Sequence, residues 1–410
     1  MADNSVQDPA RRAAESAVRN AYGRILALLA IRSGNLAIAE DALAEALARA
    51  LVVWPQSGVP EKPEAWLLTT ARHLVIDTAR KKSTETSRKA DVRLLLEESE
   101  AEMMAGDSLP DERLKLLFVC THPAIEPGMQ APLMLQTVLG LDAARIASAF
   151  LVRPATMSQR LVRQKSALKL AGAGFEVPGR DEWPDRLNAV LQAIYGAYNA
   201  GWEDHANASL AEEALFLATL VNQLLPYEAE AAGLMSLILH CEARRNARRD
   251  QAGRFVPLDQ QDTSRWDAAM IVEAERLLGI ALRMGNIGRF QLEAALQSAH
   301  SARRITGQTD WASILAIYDR LIAVSPALGA MVGRAAAIGQ NVSPEAGLEA
   351  LDSLPGDRVA QYQPYWATRA HLEARRGSMA AAQKAYRLAI GLTSDSAVRT
   401  FLLARLAELG

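Results

Sequence analysis

Apolar residues along this chain recur at three- and four-residue intervals and seldom alternate, so the periodicity predicts helices nearly throughout. After ten polar residues expected to fray, the pattern predicts a helix from about 12 to 31, broken at Gly34-Asn35. A second helix over 37–53 puts Ala39, Leu43, Leu47 and Ala50 on one face and the acids Glu40, Asp41 and Glu45 on others, and is expected to stop before Trp54-Pro55. A turn-rich loop, 56–63, leads to a helix over 64–82 with Trp66, Leu67, Thr70, Leu74 and Asp77 along one side and a basic end, Arg80, Lys81 and Lys82. Residues 141–170 read as two short helices joined by a tight turn. Pro154 opens the second of them, where a missing N–H costs nothing. Met157, Leu161 and Leu168 form its narrow apolar stripe, while Arg153, Thr156, Gln159, Arg160 and Arg163 line an adjacent exposed face.

Composition agrees with an all-α fold: half of the 410 residues are apolar and only 5% aromatic. The length suggests roughly two to four domains. The net charge of −2 gives no overall attraction to phosphate. Charge is segregated instead, with net +5 over 141–170 and net −6 over 85–112. Cys120 and Cys241 are too few for a disulfide framework and fit a reducing compartment. No basic start is followed by a hydrophobic core, and no apolar run nears the roughly 18 residues of a membrane span, so a cytoplasmic chain with no membrane partner is expected.

A helix–turn–helix that carries arginines and short polar groups outward on its second helix suits the major groove of DNA. Arg160 and Arg163 have the reach for guanine O6/N7 or phosphate, and Thr156 and Gln159 for base edges. A solvated helix pair in a helical protein is the alternative for this segment alone. Enzyme signatures are missing from the sequence: there is no His-Glu-x-x-His, no Walker loop and no dinucleotide fingerprint, and no cofactor is expected. Gly172-Ala-Gly174 reads as a helix stop with linker. Cys120 and His122 lie too close for a helical ligand pair, which leaves them a structural role.

The pair of segments Ala39-Glu-Asp-Ala-Leu-Ala-Glu-Ala-Leu47 and Glu64-Ala-Trp-Leu-Leu-Thr-Thr-Ala-Arg-His-Leu-Val-Ile-Asp-Thr-Ala-Arg80 resembles region two of bacterial RNA polymerase sigma factors of the extracytoplasmic-function type. Residues 141–170 resemble their region four, and Asp111-Glu-Arg-Leu-Lys-Leu-Leu-Phe-Val-Cys-Thr-His-Pro-Ala124 resembles the subgroup with a helical-repeat extension. The resemblance implies two partners, core RNA polymerase and promoter DNA. It assigns Glu40, Asp41 and Glu45 to the polymerase. Arg153, Thr156, Gln159, Arg160, Arg163 and Lys165 fall to the upstream promoter element. Trp66, Arg72, His73, Arg80, Lys81 and Lys82 fall to the melted downstream element, although Trp66 also fits the core. Ala44, Leu47 and His73 depart from the glutamine, aromatic and asparagine usual in that family.

Beyond 186 the pattern becomes paired helices near a 34-residue spacing. Trp366, Ala370, Ala382, Tyr386 and Ala389 fall at tetratricopeptide offsets, and Tyr318 with Pro326, and Ala214, Ala218 with Pro226, repeat parts of them. Segment 329–362 fits poorly. A polar insertion, 242–266, breaks the rhythm, and its Arg244, Arg245, Arg248 and Arg249 could bind DNA, bind an acidic partner, or fold onto Asp259 and Asp262. The expected organisation is region two over 1–82, an acidic linker over 83–110, region four over 111–172, a linker over 173–185 and a tetratricopeptide-like array over 186–410. An intramolecular contact between the array and the sigma-like half is expected. The rival reading is a helical-repeat adaptor or DNA-binding regulator that has lost polymerase binding.

Overall fold

The computed structural model describes residues 9–82, 112–150, 152–179, 181–203, 208–393 and 395–409, so the expected acidic linker 83–110 lies outside the described residues. Among them there is no strand, only an isolated bridge between Arg249 and Phe255, and the expected all-α class holds. Contacts divide the chain into two units, 1–214 and 215–410.

The first unit begins with α1 (Pro9–Ser33), α2 (Leu36–Ser57) and α3 (Pro63–Lys82), each packed on the other two. Gly34 takes φ +60°, which only glycine adopts without strain, and Asn35 caps α2 by accepting the N–H groups of Ala37 and Ile38 at 3.0 and 3.2 Å. Ile25, Leu26 and Leu29 of α1, Ala39, Leu43 and Ala46 of α2, and Leu67 and Leu68 of α3 form the buried core. The second helix does not stop at Trp54. Trp54 is buried at 2% exposure, and that anchor carries the helix one more turn to Ser57, where Pro55 forfeits little of the hydrogen-bond ladder. Gly58, at φ +85°, closes it by donating to the Trp54 carbonyl at 3.0 Å.

Next come α4 (Arg113–Cys120), α5 (Pro127–Thr137), α6 (Ala143–Ala149) and α7 (Pro154–Leu170), followed by α8 (Trp183–Glu203) and the start of α9 (Ala208–Leu224). Residues Leu116 to Cys120 are all buried, and α8 packs on α4 and α5. The Trp183 ring lies 5.2 Å from that of Phe118, and Arg186 donates to the Phe118 carbonyl. Arg145 of α6 pairs with Glu213 of α9 at 2.8 Å. The helix at 183–203, which the sequence reading assigned mostly to the array, is therefore built into the first unit.

The second unit contains α10 (Ala229–Ala243), α11 (Ala268–Arg283), α12 (Arg289–Ser301), the short α13 (Arg303–Thr306), α14 (Trp311–Val324), α15 (Leu328–Asn341), α16 (Pro344–Asp352), the short α17 (Gly356–Val359), α18 (Gln363–Arg375), α19 (Met379–Leu392) and α20 (Ser396–Ala407). Neighbouring helices pack in pairs. Ala370, Ala385, Tyr386 and Ala389 are buried together with Leu402, so α18, α19 and α20 share one core. Segment 329–362 folds as a helix pair too. There the helices approach closely, since a Cβ on Gly347 would stand 2.9 Å from the Ala335 carbonyl and from Gly339 Cα, and Tyr362, Tyr365 and Trp366 pack against the same core.

The insertion 242–266 is held by arginines of its own and by Arg303 of α13. Arg265 donates to the carbonyls of Arg249, at 3.1 Å, and Asn246. Arg303 of α13 donates to those of Leu258, Asp259 and Gln261 at 2.8, 2.5 and 3.0 Å, and lies over the Trp266 ring. Arg249 reaches Asp395 at 3.0 Å, the residue capping α20, and Phe255 meets Phe401 edge-on at 5.6 Å. Arg249 thus pairs with Asp395 rather than with the expected Asp259 or Asp262. Arg244 serves Gln297 and the His240 carbonyl, Arg245 serves Glu242, and Asp262 caps a turn through the Ser264 N–H at 2.9 Å.

Candidate nucleic-acid and polymerase interface

The expected helix–turn–helix falls on α6 and α7, which pack on each other and on α5. Pro154 opens α7 with Arg153 as its cap, and Gly172, at φ +61°, follows its end. Met157, Leu161 and Leu168 are buried as their spacing predicts. Gln164, which falls on the same stripe, is buried as well at 2% exposure, and its Oε1 accepts the Glu126 N–H at 3.2 Å. This polar tie between α7 and the start of α5 was missed, although the 157, 161, 164, 168 spacing pointed to it.

The residues assigned to the upstream element fall into three groups. Arg153, Gln159 and Arg160 are exposed, with Thr156 half-buried beside them. Arg163 pairs with Glu126 at 2.6 Å, but both side chains are more than half exposed, so the pair is weak and exchangeable. Lys165 turns to the other side of the helix and forms an ion pair with Glu40 of α2, the two side chains being 12% and 16% exposed. The structure thus joins one residue assigned to DNA with one assigned to the polymerase. Burial raises the Glu40 carboxyl above its usual range, and Lys165 opposes that rise.

On α2, Asp41 and Glu45 are exposed, and Glu45 holds Arg49 at 3.0 Å. Leu51 and Val52, one turn further, are 49% and 63% exposed. The sequence reading did not single out this apolar end, since a Leu-Val-Val run before a tryptophan resembles a buried helix terminus. On α3, Trp66 is half-buried and meets Trp54 edge-on at 5.5 Å. Arg72 is buried at 7% exposure and His73 is exposed. The side chains of Arg80, Lys81 and Lys82 lie outside the described residues.

Cys120 is buried and shares a hydrogen bond with Thr137 at 3.1 Å, and burial pushes its thiol up to about 12. His122 Nδ1 accepts the Ala124 N–H at 3.1 Å. Among the described residues no three His, Cys, Asp or Glu side chains are placed to hold a metal ion, and no helix is long and apolar enough to cross a membrane.

Comparison with known proteins matches residues 17–85, the helices α1 to α3, to Sigma-70 region 2. Residues 186–282 match a family of unknown function (DUF6596). An uncharacterized protein of Rhizobium meliloti (strain 1021) is 35% identical over 384 residues, which cover 92% of this chain and 90% of that protein. The chain belongs to one family with it, and its N-terminal region 2 supports a sigma-70-type factor. No solved structure matches the chain.

Proposed function

We propose that the chain is an alternative sigma factor whose helical C-terminal half regulates it. The observation that carries this reading is the Sigma-70 region 2 match over the three-helix bundle, followed in the same unit by a helix–turn–helix that exposes Arg153, Gln159 and Arg160. Asp41 and Glu45 supply a charged contact for core RNA polymerase, and Leu51 and Val52 beside them an apolar one. α7 enters the major groove of the upstream element. α3 receives unpaired downstream bases, with His73 at its exposed face, and the charges of Arg80, Lys81 and Lys82 are assigned to the phosphates. Arg72 supports that helix from within. The array acts on promoter choice or activity through contact with the sigma-like half.

The deciding experiment is run-off transcription with purified core polymerase on genomic fragments. Specific initiation that depends on the added chain is expected. A chain that fails to co-purify with polymerase and yields no specific transcript fits the adaptor reading instead.

A further inference from the structure

Two successive residues of α7 are tied to the residue that opens α5. Gln164 Oε1, on the buried stripe, accepts the Glu126 N–H at 3.2 Å, and Arg163 Nη2, outside the stripe, donates to Glu126 Oε1 at 2.6 Å. Glu126 stands at the cap position of α5 ahead of Pro127, and its carbonyl accepts the Met129 N–H at 2.8 Å. Its carboxylate, however, caps no N–H of that helix. The buried amide of Gln164 fixes where Glu126 stands, and the carboxylate is then given to Arg163 rather than to its own helix.

A carboxylate in that position changes what Arg163 can hold. The pair adds little to stability, since both side chains are more than half exposed, so its effect lies in what it admits. Glu126 engages one guanidinium nitrogen, which leaves the rest of the N–H fork for the paired acceptors O6 and N7 of a guanine. A phosphate brought to the same guanidinium is a second anion beside the carboxylate, and the two repel. Guanine is neutral and meets no such opposition. The pair of Arg163 with Glu126 is also formally neutral, so it releases no counterion when it meets a duplex.

We propose that Glu126 is a positioning residue that makes Arg163 a reader of guanine rather than a phosphate anchor, with Gln164 holding Glu126 in place. The inference rests on the reading of α7 as the helix that enters the upstream duplex.

The test compares the full-length parent with Glu126→Gln and with the double variant Glu126→Gln/Arg163→Ala, which restores the parent's charge. Both changes fall on exposed side chains and keep the backbone N–H that Gln164 accepts, and circular dichroism checks the fold. Randomised duplexes are enriched on each chain with and without core polymerase. Affinities for the selected duplex and its base-substituted forms are then read across a salt series. The parent should select an invariant G·C pair. Glu126→Gln should bind unrelated duplex more tightly, with a log–log salt slope steeper by about 0.9, the value of one added phosphate contact. Its preference for the G·C pair should fall about tenfold. The double variant should return to the parent's salt slope without regaining that preference. The inference is overturned if Glu126→Gln keeps the parent's base profile, or if the double variant loses affinity equally on every duplex. With polymerase-dependent binding intact, either result leaves the sigma-factor reading standing. Enrichment of no duplex under either condition also overturns it. A guanine preference lost as expected in a chain that never binds polymerase upholds the assignment and removes the sigma-factor reading.

Discussion

Arg160 and Lys165 sit five residues apart on one helix and lead opposite lives. Arg160 is exposed, while Lys165 is held against Glu40. Arg160→Ala should weaken promoter binding by about 1–3 kcal/mol if the side chain reads a base, selectively among promoters, which electrophoretic mobility shift on a set of base-substituted duplexes will measure. A second prediction concerns His240. This ring is fully buried, with Nδ1 3.2 Å from Ser301 Oγ and Glu275 3.5 Å from Nε2. Burial, aided by the nearby Arg244 charge, outweighs Glu275 and lowers its pKa to about 4. A histidine held neutral in the fold takes up its proton more readily unfolded, so its stabilisation is complete above about pH 6.5 and lost as pH falls towards 4. The loss should reach about 3 kcal/mol at the lower end. Thermal melts of the full chain between pH 7 and pH 5 should show it, and His240→Gln should flatten the slope. A parent whose melting is unchanged over that interval removes the argument.

At the scale of elements, α8 shows what a boundary drawn from repeats overlooks. A fragment ending at Val177 lacks Trp183 and Arg186, and so bares Phe118 and the face of α4 and α5 beneath them. It should be less stable than a fragment ending at Ala214 by about 3 kcal/mol, the scale of losing one large buried aromatic contact. Parallel urea titrations of the two fragments followed by circular dichroism compare them directly. Much of the rest was legible. Gly34-Asn35, Pro154 and Gly172 mark helix ends because each carries a backbone requirement of its own, a positive φ, a side-chain cap or a missing N–H. The stop at Trp54 was misplaced because local turn chemistry gave way to tertiary burial of the indole. Likewise, the spacing placed α7's exposed face but had no means of showing that α2 supplies Lys165 with a partner 125 residues away. Periodicity reports which side of a helix is wet, not what another helix brings to it.

For the whole molecule, the docking prediction follows from the two kinds of surface on α2. Replacing Asp41 and Glu45 with lysine should abolish polymerase co-purification while leaving helix content intact, since neither side chain is buried. Wild-type recovery of polymerase by that double variant would move the dock elsewhere.

The insertion of the second unit has one more consequence, in time rather than in space. Arg249 waits for Asp395, which is added 146 residues later, and Phe255 waits for Phe401. At translation speeds of about 5–20 residues per second, that interval is roughly 7–30 s. A nascent chain thus carries this arginine-rich loop without its C-terminal anchor for longer than most helical domains take to fold. Ribosome-bound chains arrested before 395 should be cut by protease within 248–256, and chains long enough to expose α20 beyond the exit tunnel should be protected there. Completion of α20 is the moment at which this loop gains its anchor.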